Sequence, residues 1–137
     1  MRDVLLTIKQ NKKIAKNIYR MILKGNVQDC ARPGSFVNLK IPNFYLRRPM
    51  SVCDVNKNEL TLIYKVVGCG TEHMTNLKGK ISILTNLGNG FSLKKPKQNN
   101  LLVGGGCGIP PLYLLAKKLI SLHKNVTAIL GFNSKEE

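Results

Sequence analysis

The chain has 137 residues, 43% of them apolar and 6% aromatic, and 22 Lys and Arg against 7 Asp and Glu give a formal net charge of +15. That length accommodates one compact domain, or one domain with part of another, and excludes two complete ones. No apolar run approaches the thickness of a bilayer, and the opening MRDVLLTIKQ reaches Lys9 too soon to act as a secretory signal, so the reading is a cytoplasmic protein without a membrane partner.

In chain order, the first half is a succession of short alternating or apolar runs separated by turn residues. Strands are expected near residues 2–10, 16–24, 35–41, 50–55, 59–67 and 80–84. Arg32-Pro33-Gly34 precedes the third, Asn56-Lys57-Asn58 makes a hairpin loop, and Gly88-Asn89-Gly90 closes the last. This is the pattern of an antiparallel barrel or sandwich. One helical turn is predicted over 72–77, with Thr71 as its N-cap and Glu72 in the first turn.

Beyond a polar linker at 94–100 the character changes. Leu101-Leu102-Val103 reads as a short continuous apolar strand, Gly104 to Gly108 as a loop, and Pro110-Pro111 as the start of a helix through Leu122. Leu112, Leu115, Ala116 and Leu119 mark the apolar face of that helix, while Lys117, Lys118 and Lys124 point elsewhere. Val126–Leu130 is a second strand, completing one parallel, right-handed βαβ unit. The fold class is therefore β followed by α/β, and one such unit cannot cover both faces of its sheet, as expected for part of a larger α/β domain.

The charge invites a nucleic-acid reading, but basic residues spread from Lys9 to Lys135 without interleaved aromatics, which argues against a nucleic-acid partner. The same charge suits phosphate-rich dinucleotides or an acidic subunit. Cys30, Cys53, Cys69 and Cys107 are scattered, with no CxxC or His/Cys cluster, so separate reduced thiols and no metal site are expected. Neither paired carboxylates nor a nucleophile with a placed base is evident; no catalytic residue is assigned, and redox chemistry would come from a cofactor.

Four segments could contact such a cofactor. Gly104, Gly105, Gly106 and Gly108, before Pro110, lie between a strand and a helix, where amides can meet an anion; a tight turn needing positive φ explains the glycines equally well. Arg47-Arg48-Pro49-Met50-Ser51 offers an arginine fork and a hydroxyl for a pyrophosphate, or a surface basic pair before a strand. Ile63-Tyr64-Lys65 is a core strand by default, and Gly68-Cys69-Gly70-Thr71 is either a turn or a second phosphate site.

Taken in order, RRPMSV, LIYKVVGCGT, LGNGF and LLVGGGCGIPPLYLLAKKL resemble the ferredoxin-reductase-like flavoproteins, in particular the electron-transfer subunits of heterodimeric dihydroorotate dehydrogenases. The resemblance spans essentially the whole chain. It implies a six-stranded antiparallel FAD-binding barrel over 1–98 and the N-terminal part of a Rossmann-like, NAD-binding α/β domain over 99–137. It further implies that Arg48, Pro49, Met50 and Ser51 hold the flavin and its pyrophosphate, that Ile63, Tyr64 and Lys65 line the isoalloxazine and ribityl region, and that Gly70 and Thr71 cap the phosphates. The glycines from Gly104 to Gly108, with Pro110, correspond to the opening nicotinamide loop. Lys65 stands where many relatives carry arginine, keeping the charge and losing the fork. The implied function is electron transfer between NAD(H) and a dihydroorotate dehydrogenase catalytic subunit in pyrimidine biosynthesis, as part of a hetero-oligomer. The [2Fe–2S] centre of full-length relatives has no ligands among these four cysteines. A sulfide dehydrogenase or hydrogenase accessory subunit, an FAD-binding barrel without turnover, and a basic nucleic-acid-binding barrel are the alternatives.

Overall fold

The computed structural model describes residues 1–137. The first part is a closed antiparallel barrel of β1 (Arg2–Ala15), β2 (Ile18–Lys24), β3 (Phe36–Leu39), β4 (Arg48–Asn56), β5 (Glu59–Lys65) and β6 (Lys80–Leu87), in the order β1-β2-β5-β4-β3-β6. Closure removes sheet edges, so every strand has two partners. β1 achieves this by length: its first half pairs with β6 from Arg2 to Thr7, and its second half with β2 from Thr7 to Ala15.

The sequence indicates only residues 2–10 for β1, because a bulge between Ile8 and Gln10 interrupts the alternation. Before it, Val4, Leu6 and Ile8 point inward; after it, Asn11 takes the inward position opposite Met21. Inward residues of the other strands fill the barrel, and Met21, Leu23, Val37, Leu39, Val52, Leu60, Leu62 and Ile83 are fully buried.

Between β5 and β6 lies α1 (Cys69–Met74), three residues earlier than the sequence pattern suggests. Gly68 is its N-cap, and Thr71 sits inside the first turn, a correction to its expected capping position. Its hydroxyl nevertheless serves the helix start, accepting from the N–H groups of Val67 (2.9 Å) and Gly68 (3.1 Å) and donating to Gly68 O (2.9 Å). The Gly68 amide is among the orphan donors that a helix start must satisfy, and the Val67 amide fixes the residue that leads into it.

The second part is a parallel pair, β7 (Asn99–Gly105) and β8 (Asn125–Gly131), joined by α2 (Pro110–Ser121). β7 is longer than Leu101–Val103 at both ends: Asn99 and Asn100 pair with β8, and so do Gly104 and Gly105, which are strand residues rather than loop. The loop proper is the single 3₁₀ turn at Gly106–Gly108.

α2 buries two faces rather than one. Leu115 and Leu119 meet Leu102, with Leu112 and Ala116 alongside, as the sequence indicates. Leu114, by contrast, is 2% exposed and belongs to the barrel core. Lys117 does not point to solvent alone; its Nζ donates to both oxygens of Asp54 on β4, at 2.8 and 3.0 Å. One apolar anchor and one ion pair thus fix the helix on the barrel wall. The opposite face of the β7–β8 pair remains open, with Leu101, Val103 and Ile129 all more than half exposed.

Candidate functional site

Two features stand out, one between the barrel and α2 and one between β4 and α1. The first is a mainly apolar cavity of about 240 Å³. Ile63, Tyr64 and Lys65 of β5 and Cys53 of β4 form the barrel wall, Ile14 and Ile18 of the β1–β2 hairpin close one side, and Gly106, Cys107, Ile109, Pro110 and Tyr113 form the facing wall. Strand alternation explains the barrel wall: Leu60, Leu62 and Tyr64 are buried inward, leaving Ile63 and Lys65 on the outer surface. Ile109 and Tyr113, four residues apart at the start of α2, present one face.

Lys65 is the only cationic side chain lining this cavity, and it is ion-paired with Glu137, which with Phe132 closes the rim. The hydrogen bond from Lys65 holds the Glu137 carboxyl below its usual range, against the opposing effect of desolvation. Tyr64 is 2% exposed, and its hydroxyl is turned into the barrel, donating to Asn11 Oδ1 at 3.0 Å while its ring stacks on Tyr19. It borders the cavity with its ring, not with a polar group. Burial pushes the thiol of Cys53 up to about 11, so it enters the wall as a neutral, inert group.

The second feature is cationic. The Arg48 guanidinium lies over Gly70 on α1: a Cβ added at Gly70 would stand 2.6 Å from Nε and 2.7 Å from a terminal nitrogen. Only glycine permits that approach. Phe44 supports the guanidinium from 5.3 Å, and one terminal nitrogen donates to Leu46 O at 2.6 Å, leaving other donors free. Thr71 fixes the adjacent turn, and the free guanidinium donors are of the kind that pair with an anion.

The remaining sequence candidates divide. Pro49 is exposed at the edge of β4, Met50 packs on the barrel core, and Ser51 is half-buried opposite Phe36; none lines the cavity. In the glycine loop, Gly104 answers to packing, since a Cβ there would meet Leu112 at 2.6 Å and Gly108 O at 3.2 Å. Gly106 answers to backbone conformation, at φ +50°. Gly105 and Gly108 answer to neither: added Cβ atoms would meet only Gly131 O at 3.9 Å and nothing within 4 Å, respectively, leaving the loop's outer surface open to an approaching ligand. Arg47 turns away, to Asp3 and Ser82, so the fork is one arginine rather than two. Cys53, Ile14, Ile18 and Tyr113 went unrecognised, having no sequence mark beyond apolarity. No group of three or more His, Cys, Asp or Glu side chains is gathered in a metal-binding arrangement.

Comparison with known proteins gives this geometry a context. No family model matches the chain. The dihydroorotate dehydrogenase B (NAD(+)) electron transfer subunit of Fusobacterium nucleatum is 45% identical over 96% of this chain and 54% of its own length. The subunit of the same name from Bacillus velezensis is 42% identical over 100% of this chain and 57% of its own. The chain thus spans a little over half the length of these relatives. Among solved structures, a chain of NADH-dependent reduced ferredoxin–NADP oxidoreductase, 32% identical, superposes with a TM-score of 0.86 over 97% of this chain and 50% of that one. Phthalate dioxygenase reductase, 22% identical, shares the fold at a TM-score of 0.81, over 98% of this chain and 45% of its own. Over the length they share, the chain is similar in sequence to the electron transfer subunits of dihydroorotate dehydrogenase B, and its fold is that of the ferredoxin-reductase-like proteins.

Proposed function

We propose that the chain binds FAD and contributes to electron transfer between NAD(H) and a dihydroorotate dehydrogenase catalytic subunit, in pyrimidine biosynthesis in the cytoplasm. The observation that carries the reading is the pairing of an anion seat, Arg48 over Gly70, with an apolar cavity on the same barrel. A dinucleotide flavin needs both: a planar apolar ring has to be shielded and oriented, and a doubly charged diphosphate has to be neutralised. The residues fit the group. Gly70 keeps the guanidinium low on α1, Thr71 holds the turn, and Ile63 with Pro110 and Tyr113 bounds the apolar space. When bound, the flavin supplies the redox chemistry; the protein's part is to orient it, exclude water and set its electrostatics.

On this reading residues 1–98 are the FAD-binding unit and 99–137 belong to an NAD-binding unit. The open surface at Gly105 and Gly108, next to the cavity, supports a nicotinamide approach from that side. Four cysteines that lie apart, two buried and two exposed, give no support to an iron–sulfur centre on these residues, so we place that step elsewhere in the assembly.

Similarity to the ferredoxin–NADP oxidoreductase chain favours one second reading, an equivalent role with a different electron partner. Purified protein titrated with FAD and then, anaerobically, with NADH tests the proposal. Flavin absorbance that saturates with added protein and bleaches with NADH is expected; flavin that binds but never bleaches would confine the role to FAD binding, and absent binding would overturn it.

A further inference from the structure

α1 has only six residues, too few to hold its shape or place by itself. Its start is held by Thr71, and Met74, fully buried, anchors its underside in the barrel core. Its far end is held from inside the barrel. Asn11 Nδ2 donates to Met74 O at 2.7 Å and to Thr75 O at 3.3 Å, at the helix end where carbonyls lack intrahelical partners; Met74 O also accepts from the Leu77 N–H at 3.2 Å. Asn11 Oδ1 in turn accepts from Tyr64 Oη at 3.0 Å.

The orientation of the carboxamide is unambiguous, because carbonyls only accept and the Tyr64 hydroxyl faces the other atom. Burial pushes the Tyr64 hydroxyl up to about 12, so it remains a donor throughout the neutral range. A side chain that accepts on one side and donates on the other is therefore required at residue 11. It reaches that place only because the bulge at Lys9 turns it inward.

We propose that Asn11 is a positioning residue for the anion seat: by linking Tyr64 on β5 to the C-terminal end of α1, it sets where Gly70 and Thr71 lie beneath Arg48. This rests on the FAD-binding reading above for its functional consequence, though not for its structural content. Asn11 makes no contact with the seat itself; it acts through six residues of helix.

Two measurements on the whole chain separate the parts, using Asn11→Asp, which preserves shape and removes the donor, and Asn11→Ala. In native-state hydrogen exchange, the amides of Glu72, Thr75 and Leu77 should exchange about tenfold faster in both variants, the effect of one lost hydrogen bond, while those of β6 stay unchanged. In titrations, FAD affinity should fall about tenfold while riboflavin, which has no diphosphate, binds as before, and neither substitution should weaken FAD further in an Arg48→Ala background. Unchanged α1 exchange, or an equal loss of FAD and riboflavin affinity, would overturn the inference. If wild-type protein binds neither flavin, the FAD reading fails, and the exchange result still decides whether Asn11 sets α1.

Discussion

Replacing Gly70 by alanine should weaken FAD binding without harming the fold. The added Cβ would lie 2.6 Å from Arg48 Nε, 2.7 Å from a terminal nitrogen and 3.0 Å from Cζ, and the guanidinium, at the end of a flexible side chain, must swing away. Arg48 then loses its place over the turn, and with it one or more charge-assisted hydrogen bonds to the diphosphate, worth about 1.5–3 kcal/mol each. At about 1.4 kcal/mol per tenfold, that is roughly a 10- to 100-fold loss of affinity. The helix itself gains, since alanine is favoured over glycine by up to about 1 kcal/mol in helical backbone. Stability and binding should therefore move in opposite directions. Fluorescence titration with FAD reads the binding, a thermal melt of the apoprotein reads the stability, and Arg48→Ala supplies the reference loss, onto which Gly70→Ala should add little. Undiminished affinity in Gly70→Ala, or a fall in both affinity and melting temperature, would refute the assignment of Gly70 as the floor beneath Arg48.

Thr71→Val should destabilise the chain by about 1–3 kcal/mol, because the Val67 and Gly68 amides lose their acceptor, while Thr71→Ser should recover most of it in urea melts. Leu114→Ala, which opens a hole in the barrel core from the helix side, should cost about 2–5 kcal/mol, and Leu122→Ala on the exposed end less than about 0.5 kcal/mol. Alkaline pH should weaken the fold: burial raises Cys30 to about 12, Cys53 to about 11 and Tyr64 to about 12, from ordinary values of 9.0, 9.0 and 10.0. All three are kept neutral in the folded state, so the unfolded chain releases protons first, and the urea midpoint should hold below pH 9 and decline as pH rises toward 12. A midpoint that stays level or rises there would contradict the burial of these groups. At pH 8, a thiol reagent should modify the exposed Cys69 and Cys107 rapidly, and Cys30 and Cys53 only after denaturation.

Much of the architecture is legible in the residues because the signals are local. Alternation with turn residues between runs marks the barrel strands, and the change to a continuous apolar strand, glycines, prolines and a helical stripe marks the βαβ unit. The failures are equally specific. The alternation in β1 ends at its bulge, since a one-residue insertion reverses which positions face inward and makes Asn11 look like a polar loop residue. A one-faced view of α2 leaves Leu114 out and turns Lys117 away, whereas the helix packs on two surfaces and Asp54 lies 63 positions from Lys117 in sequence. Gly104 and Gly105 read as loop because glycine rarely marks a strand, yet close packing beneath Leu112 is what Gly104 serves.

The candidate site divides along the same line. Arg48 with Gly70, and Ile63 with Pro110, belong to segments that the sequence singled out, and folding brings the members of each pair together. Tyr64 lies in one of those segments, but its hydroxyl is used within the barrel. The pairing of Lys65 with Glu137 is a contact across 72 positions that no local pattern encodes.

FAD titration of the purified chain, followed by absorbance, tests the central claim most directly. The account predicts saturation at one flavin per chain, with affinity lost in Arg48→Ala. Flavin that stays free at every protein concentration, or that binds equally well without Arg48, would contradict it.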